Sequence, residues 1–197
     1  GEWLSKVISI NRDNIILQVI SKTKEIKSET DICLIFAPIK SFRMNITIQK
    51  ATELGVTSFI PCITKYTNQP KINIRNLKMN IIEATEQSER LSLPSIDEPT
   101  TIEKIVENFP KDRCLIFCNE NYQNLPMIYD ALLEKVEHYK KWAILIGPEG
   151  GFSKEERQKI LSLQSSISVS LGERILRSDT ATTAAIFSLQ SLVENKK

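Results

Sequence analysis

Strand-type runs that are apolar along their whole length, and not merely at every second residue, recur through most of this chain. Residues 32–37, 114–118 and 142–146 are the clearest, for example Trp142-Ala-Ile-Leu-Ile146. A strand with one wet face alternates apolar and polar residues, so unbroken apolar character means cover on both faces. Weaker strand patterns lie at residues 56–60 and 167–171. Between the strands run helical patterns at residues 44–54, 77–91, 102–109 and 127–139, and a last one at 180–194. Strands that alternate with helices in this way predict an α/β fold, a parallel sheet between two helical layers. The punctuation agrees. Pro38, Pro94 and Pro110 each stop an element, and Gly55 stands where a helix wants a left-handed residue just past its end. Ser153, with Glu156 three residues on, predicts a helix start closed by a reciprocal capping box.

The beginning reads differently. Residues 2–10 and 15–20 are β-type segments joined by Asn11-Arg-Asp-Asn14, which predicts a hairpin, and residues 22–30 read as a polar linker. The chain starts on Gly and enters strand-like sequence at once, so it reads as missing its natural beginning. No apolar run approaches the roughly 18 residues that span a bilayer, and the first residues lack the basic leader of a signal peptide. Cys33, Cys62, Cys114 and Cys118 form no Cys-x-x-Cys pair, and the single histidine, His138, lies far from them. Zinc sites show close ligand pairs, so these are read as free thiols of a cytoplasmic protein, with no metal.

Net charge is only +2, yet its distribution is uneven. Between residues 37 and 80, Lys40, Arg43, Lys50, Lys65, Lys71, Arg75 and Lys78 face one acid, Glu53; acids dominate the next thirty residues. Such asymmetry marks either a polyanion-facing surface or an unevenly charged solvated one.

Two loops hold the chemistry. Residues 144–153, Ile-Leu-Ile-Gly-Pro-Glu-Gly-Gly-Phe-Ser, and 171–180, Leu-Gly-Glu-Arg-Ile-Leu-Arg-Ser-Asp-Thr, each run from strand to loop to helix. Ligands of open α/β sheets gather in such loops, at the carboxyl ends of strands. Neither loop is a Walker loop or a Gly-x-Gly-x-x-Gly dinucleotide fingerprint. A ligandless tight turn would explain the first loop alone. Together they suggest a small-molecule site built mostly of backbone, where glycines permit close approach.

These two stretches resemble the C-terminal signatures of the RsmE family, bacterial 16S ribosomal RNA (uridine-N3) methyltransferases of the SPOUT superfamily. Upstream, Lys40, Arg43-Met44 and Gln49-Lys-Ala-Thr-Glu-Leu-Gly-Val56 are similar to a second family segment, and Glu83-Ala-Thr-Glu-Gln-Ser-Glu-Arg90 with Pro94 to a third. Asp179 stands where the family usually has Glu, which keeps the carboxylate one methylene shorter. The resemblance implies a SPOUT methyltransferase domain over residues 28–197, with a parallel sheet and a C-terminal deep trefoil knot. Residues 1–27 would be the remnant of an N-terminal PUA-like β-barrel. It implies S-adenosylmethionine held by three loops: Cys118, Asn119 and Glu120; Ile146, Gly147, Pro148, Gly150 and Gly151; Leu171, Gly172, Ile175 and Leu176. It implies a homodimer acting on the small ribosomal subunit, with Lys40, Arg43, Lys50 and Arg90 facing RNA.

Uridine N3 is a poor nucleophile while protonated, so a proton acceptor and a group facing the developing anion are needed. Arg177 suits the second role. Glu149 and Asp179 are both candidates for the first, and the sequence does not choose. An ion pair between Arg177 and Asp179, capping the last helix, is the plainer alternative for the arginine. Two other functions stay open, a SPOUT methyltransferase with another RNA target and an RNA-binding assembly factor without activity. Intact glycines in both loops argue against a decayed site.

Overall fold

The computed structural model describes residues 1–68, 71–119 and 125–194. An antiparallel hairpin of β1 (Glu2–Ile10) and β2 (Ile15–Lys24) comes first, its turn closed by Asn11 N–H donating to the Asn14 carbonyl at 2.8 Å. Strand β2 runs four residues past the expected end and shortens the linker accordingly. Hairpin apolar side chains such as Trp3, Ile8, Ile15 and Leu17 are all more than half exposed.

The α/β part is a seven-stranded sheet. Its strands are β3 (Asp31–Phe36), β4 (Ser58–Ile63), β5 (Ser95–Ile96), β6 (Thr100–Thr101), β7 (Arg113–Cys118), β8 (Lys141–Ile146) and β9 (Ser166–Val169). They lie in the order β5–β4–β3–β8–β7–β9, with β6 beside β4, and every pairing is parallel. The helices are α1 (Ser41–Glu53), α2 (Ile74–Gln87), α3 (Ile102–Glu107), α4 (Ile128–Lys135), α5 (Lys154–Leu161) and α6 (Ser178–Glu194).

Alternation along each central strand feeds two cores. Ile32, Leu34 and Phe36, with Trp142, Ile144 and Ile146, pack under α1, α2, α4 and α6; Cys33, Ile35, Ala143 and Leu145 pack under α3 and α5. Both faces are therefore covered, as the unbroken apolar runs require. Arg113 ties together the amino ends of β3, β7 and β8, donating to both carboxylate oxygens of Asp31 (2.9 and 2.8 Å) and to the Trp142 carbonyl (2.7 Å).

Gly55 has φ +84°, and its missing side chain leaves room for Gln190, whose amide donates to the Leu54 carbonyl at 3.0 Å. Other boundaries differ from the sequence pattern for local reasons. Helix α2 starts three residues early because the Asn73 side chain accepts the Asn76 N–H, and it ends before Glu89, whose φ is +55°. Strands β5 and β6 have two residues each, too few for any periodicity to show.

Arg90 corrects an expectation. Its side chain is only 8% exposed and donates to the Thr52 and Val56 carbonyls (2.7 and 2.9 Å) while pairing with Glu29. It ends α1 and anchors residue 29 to the domain, so it cannot face RNA. Arg90→Met takes the side-chain donor from the Val56 carbonyl and leaves the Thr52 carbonyl with the Gly55 N–H alone, and should lower stability by about 1–3 kcal/mol. Glu29→Gln should lower it by no more than about 1 kcal/mol, because the carboxylate is partly wet. Urea midpoints read both; a wild-type midpoint for Arg90→Met would show that the latch carries no stability.

Candidate active site

Strands β8, β7 and β9 are neighbours, and their carboxyl ends open into one cavity of about 360 Å³. One wall is the end of β7, with Cys118 and Asn119. Glu120, expected beside them, lies outside the described residues. The second wall is the loop after β8: Ile146, Gly147, Pro148, Glu149, Gly150 and Gly151 all line the cavity. The third follows β9 and contributes Leu171, Gly172, Ile175, Leu176 and Arg177. The structure thus gathers the expected residues of all three loops, Glu120 apart, around one space. It adds Ser170, Arg174, Ser178 and Ala181. Two of these four, Arg174 and Ser178, sit inside the second signature, and Ser170 and Ala181 directly flank it, so adjacency is the available signal.

Short bonds join the walls. Asn119 N–H donates to the Val169 carbonyl (3.2 Å), and the Ser178 hydroxyl to the Gly147 carbonyl (3.1 Å). Arg157, on α5, donates to the Phe152 carbonyl (3.0 Å) and to Asn119 Oδ1 (2.9 Å). Nothing in the sequence marks this arginine, since its acceptor on Phe152 is a backbone carbonyl and Asn119 lies 38 residues away. The capping box at Ser153 and Glu156 is present, with both oxygen contacts made.

The glycines act for different reasons. Gly151 (φ +67°) and Gly172 (φ +116°) hold positive φ. Gly147 does not; there a Cβ would stand 2.6 Å from the Phe152 ring, which packs edge-on against Phe117 at 5.3 Å. At Gly172 nothing lies within 4 Å of where a Cβ would be, so backbone borders open space.

Exposed charges rim the cavity: Glu149, Arg174 and Arg177, each without an ion pair among the described residues. Asp179 does not line it. Its carboxylate pairs with Arg43 at 3.2 Å, joining the first turns of α6 and α1. The alternative pairing of Asp179 with Arg177 is therefore absent. Lys50 pairs with Glu53 at 2.8 Å, whereas Lys40 is exposed ahead of α1 without such a partner among the described residues. Cys118 borders the cavity as a neutral thiol, since burial pushes its pKa up to about 12.

Residues 26–190 match the RNA methyltransferase domain family. Over 194 residues the chain is 32% identical to ribosomal RNA small subunit methyltransferase E of Rickettsia conorii, covering 98% of this chain and 77% of that one. The chain belongs to the RsmE family. A second member, from Buchnera aphidicola of Schizaphis graminum, is also 32% identical, over 95% of this chain and 76% of its own. Among solved structures, ribosomal RNA small subunit methyltransferase E of Neisseria gonorrhoeae, bound to S-adenosyl methionine, superposes with a TM-score of 0.76 at 25% identity, covering 95% and 77%. A methyltransferase of Legionella pneumophila with bound SAM gives 0.79 at 28% identity, with the same coverage.

The two glycine explanations can be separated. Gly147→Ala and Gly172→Ala should each destabilise by about 1–3 kcal/mol, the first by collision and the second by backbone strain. Adding Phe152→Leu should restore part of the loss at position 147 and nothing at 172. Equal behaviour of the two double variants in chemical denaturation would contradict this division.

Proposed function

We propose that this protein methylates N3 of a uridine in 16S ribosomal RNA, using S-adenosylmethionine. The observation that carries the reading is the single cavity formed by the three RsmE-type loops, in a chain that belongs to that family. The cavity suits the cofactor. Its walls at Ile146, Leu171 and Leu176 are apolar enough for an adenine face, and the open space at Gly172 lets the ligand come close to the backbone. S-adenosylmethionine supplies a methyl group already activated on sulfonium, so positioning can account for much of the rate.

The chain's own residues then divide the remaining work. Glu149, exposed on the rim and unpaired, accepts the uridine N3 proton. Arg177 faces the negative charge that this leaves on the base. Asp179, committed to Arg43, holds α1 and α6 together and takes no proton.

The same reading includes a trefoil knot in the C-terminal segment, supported by the seating of β8 between β3 and β7 and by Ser178 hooked onto Gly147. It takes residues 1–27 as part of a PUA-like β-barrel, supported by strands that, among the described residues, pair only with each other and by their exposed apolar side chains. It also takes the protein as cytoplasmic; among the described residues no helix is long and apolar enough to cross a membrane. A homodimer is supported by Phe42 (76% exposed) on α1 and Phe187 (62% exposed) on α6, apolar side chains on two helices that pack together. A solution mass of one chain by light scattering would contradict it.

Methyl transfer to 16S ribosomal RNA, followed by nucleoside mass spectrometry, should yield 3-methyluridine. Arg177→Met should lower kcat by about 10²–10³-fold and Glu149→Gln by at least about 10²-fold. Asp179→Asn should retain most activity. A larger loss for Asp179→Asn than for Glu149→Gln would reverse the assignment of the proton acceptor.

A further inference from the structure

Beside the cavity, a rigid turn carries an aromatic side chain that methyl transfer, as derived so far, leaves without a role. Residues 64–67 follow β4, and their polar groups close on one another. Thr64 N–H donates to Thr67 Oγ1 (2.9 Å), Thr67 N–H donates to the Thr64 carbonyl (3.1 Å), and the two hydroxyls lie 2.9 Å apart. The turn is also pinned from outside. Glu156, 6% exposed, accepts the Lys65 N–H through Oε1 (2.8 Å) while its Oε2 accepts the Ser153 N–H (2.7 Å). One buried carboxylate therefore fixes this turn to the start of α5, directly after the glycine-rich loop.

The consequence is the seat of Tyr66. It rests on Gly150, where a Cβ would come within 3.0 Å of the tyrosine Cβ, and Gly150 lines the cavity. Yet Tyr66 is 44% exposed. Lys65 holds its ammonium 5.9 Å from the ring centroid and 4.0 Å from a Glu155 carboxylate oxygen. Both members of that ion pair are mostly solvated, at 61% and 69% exposure, so exchanging the carboxylate for a phosphate costs little.

We infer that Tyr66 is the stacking platform for the target nucleobase, with Lys65 contacting an adjoining phosphate. The inference rests on the methyl-transfer reading of the cavity. A base that reacts at a ring nitrogen must leave its pairing and its stack, and it needs another face to lie on. An exposed ring on a turn closed from within and pinned from outside offers that face with little further ordering. A ring meant only to brace Gly150 would be expected to bury itself there. The cation beside it, together with Arg174 and Arg177 on the cavity rim, favours RNA over a neutral protein surface.

The test compares Tyr66→Leu, Tyr66→Phe and Lys65→Gln, with 16S ribosomal RNA as the probe. KM for RNA, cofactor affinity, thermal stability and cofactor-free RNA binding are measured for each. Tyr66→Leu should raise the RNA KM and weaken RNA binding by about 5- to 150-fold, with cofactor affinity and melting temperature unchanged. Tyr66→Phe, which keeps the ring, should stay near wild type. Lys65→Gln should flatten the log–log salt slope of RNA binding by about 0.7. Wild-type RNA binding by Tyr66→Leu, or loss of cofactor affinity in parallel with it, would overturn the inference while methyl transfer stood. A wild-type protein that bound RNA through Tyr66 but transferred no methyl group would instead sink the functional reading alone. One that bound no RNA would sink both.

Discussion

Three neighbouring parallel strands stop side by side at one edge of the sheet, and this creates the constraint on which the rest depends. Beyond the last ladder bond of β8, β7 and β9, backbone amides and carbonyls lose their strand partners. A buried polar group without a partner costs about 1–3 kcal/mol, so each has to be met locally. Asn119 N–H reaches the Val169 carbonyl, the Ser178 hydroxyl reaches Gly147, and Arg157 reaches both Phe152 and Asn119. These links hold three glycine-bearing or polar loops apart at fixed spacing. The cavity is the space they leave, and backbone can border it because its geometry is settled by the cross-links.

Much of this was legible where the cause is local. Apolar strands announced a sheet covered on both faces, and the structure places Ile32, Leu34 and Phe36 in one core and Cys33 and Ile35 in the other. The capping box could be read from a spacing of three, because both of its bonds lie within one turn. The cavity loops could be read because chain order and strand order bring β7, β8 and β9 together. What a single sequence does not carry is the partner of a charge. Arg90 sits in a charged, solvated-looking segment, yet its partner Glu29 is 61 residues away and its carbonyl acceptors belong to the end of α1. Arg43 and Asp179 were each visible, but their pairing spans 136 residues. Gly147 shows the same limit: the sequence suggests close approach of backbone to a ligand, while what leaves no room for a side chain there is a phenylalanine ring five residues on.

Glu156 joins the two kinds of information. Its Oε2 does what the capping motif foretells, while its Oε1 reaches across 91 residues to the turn that carries Tyr66. One carboxylate thus sets both the start of α5 and the flank of the cavity. The basic segment read from the sequence is divided by such contacts. Arg43, Lys50 and Arg90 are engaged within the fold, whereas Lys40 and Lys65 stay largely in solvent.

The cavity at the ends of β7, β8 and β9 is the proposed seat of S-adenosylmethionine. Calorimetric titration of the protein with S-adenosylmethionine tests it most directly, without depending on any RNA. Saturable binding of one molecule per chain is expected, with a negative heat-capacity change from burial of apolar surface, and binding should be lost when Gly172 is replaced by Val. No binding by the wild-type chain, or undiminished binding by Gly172→Val, would contradict it.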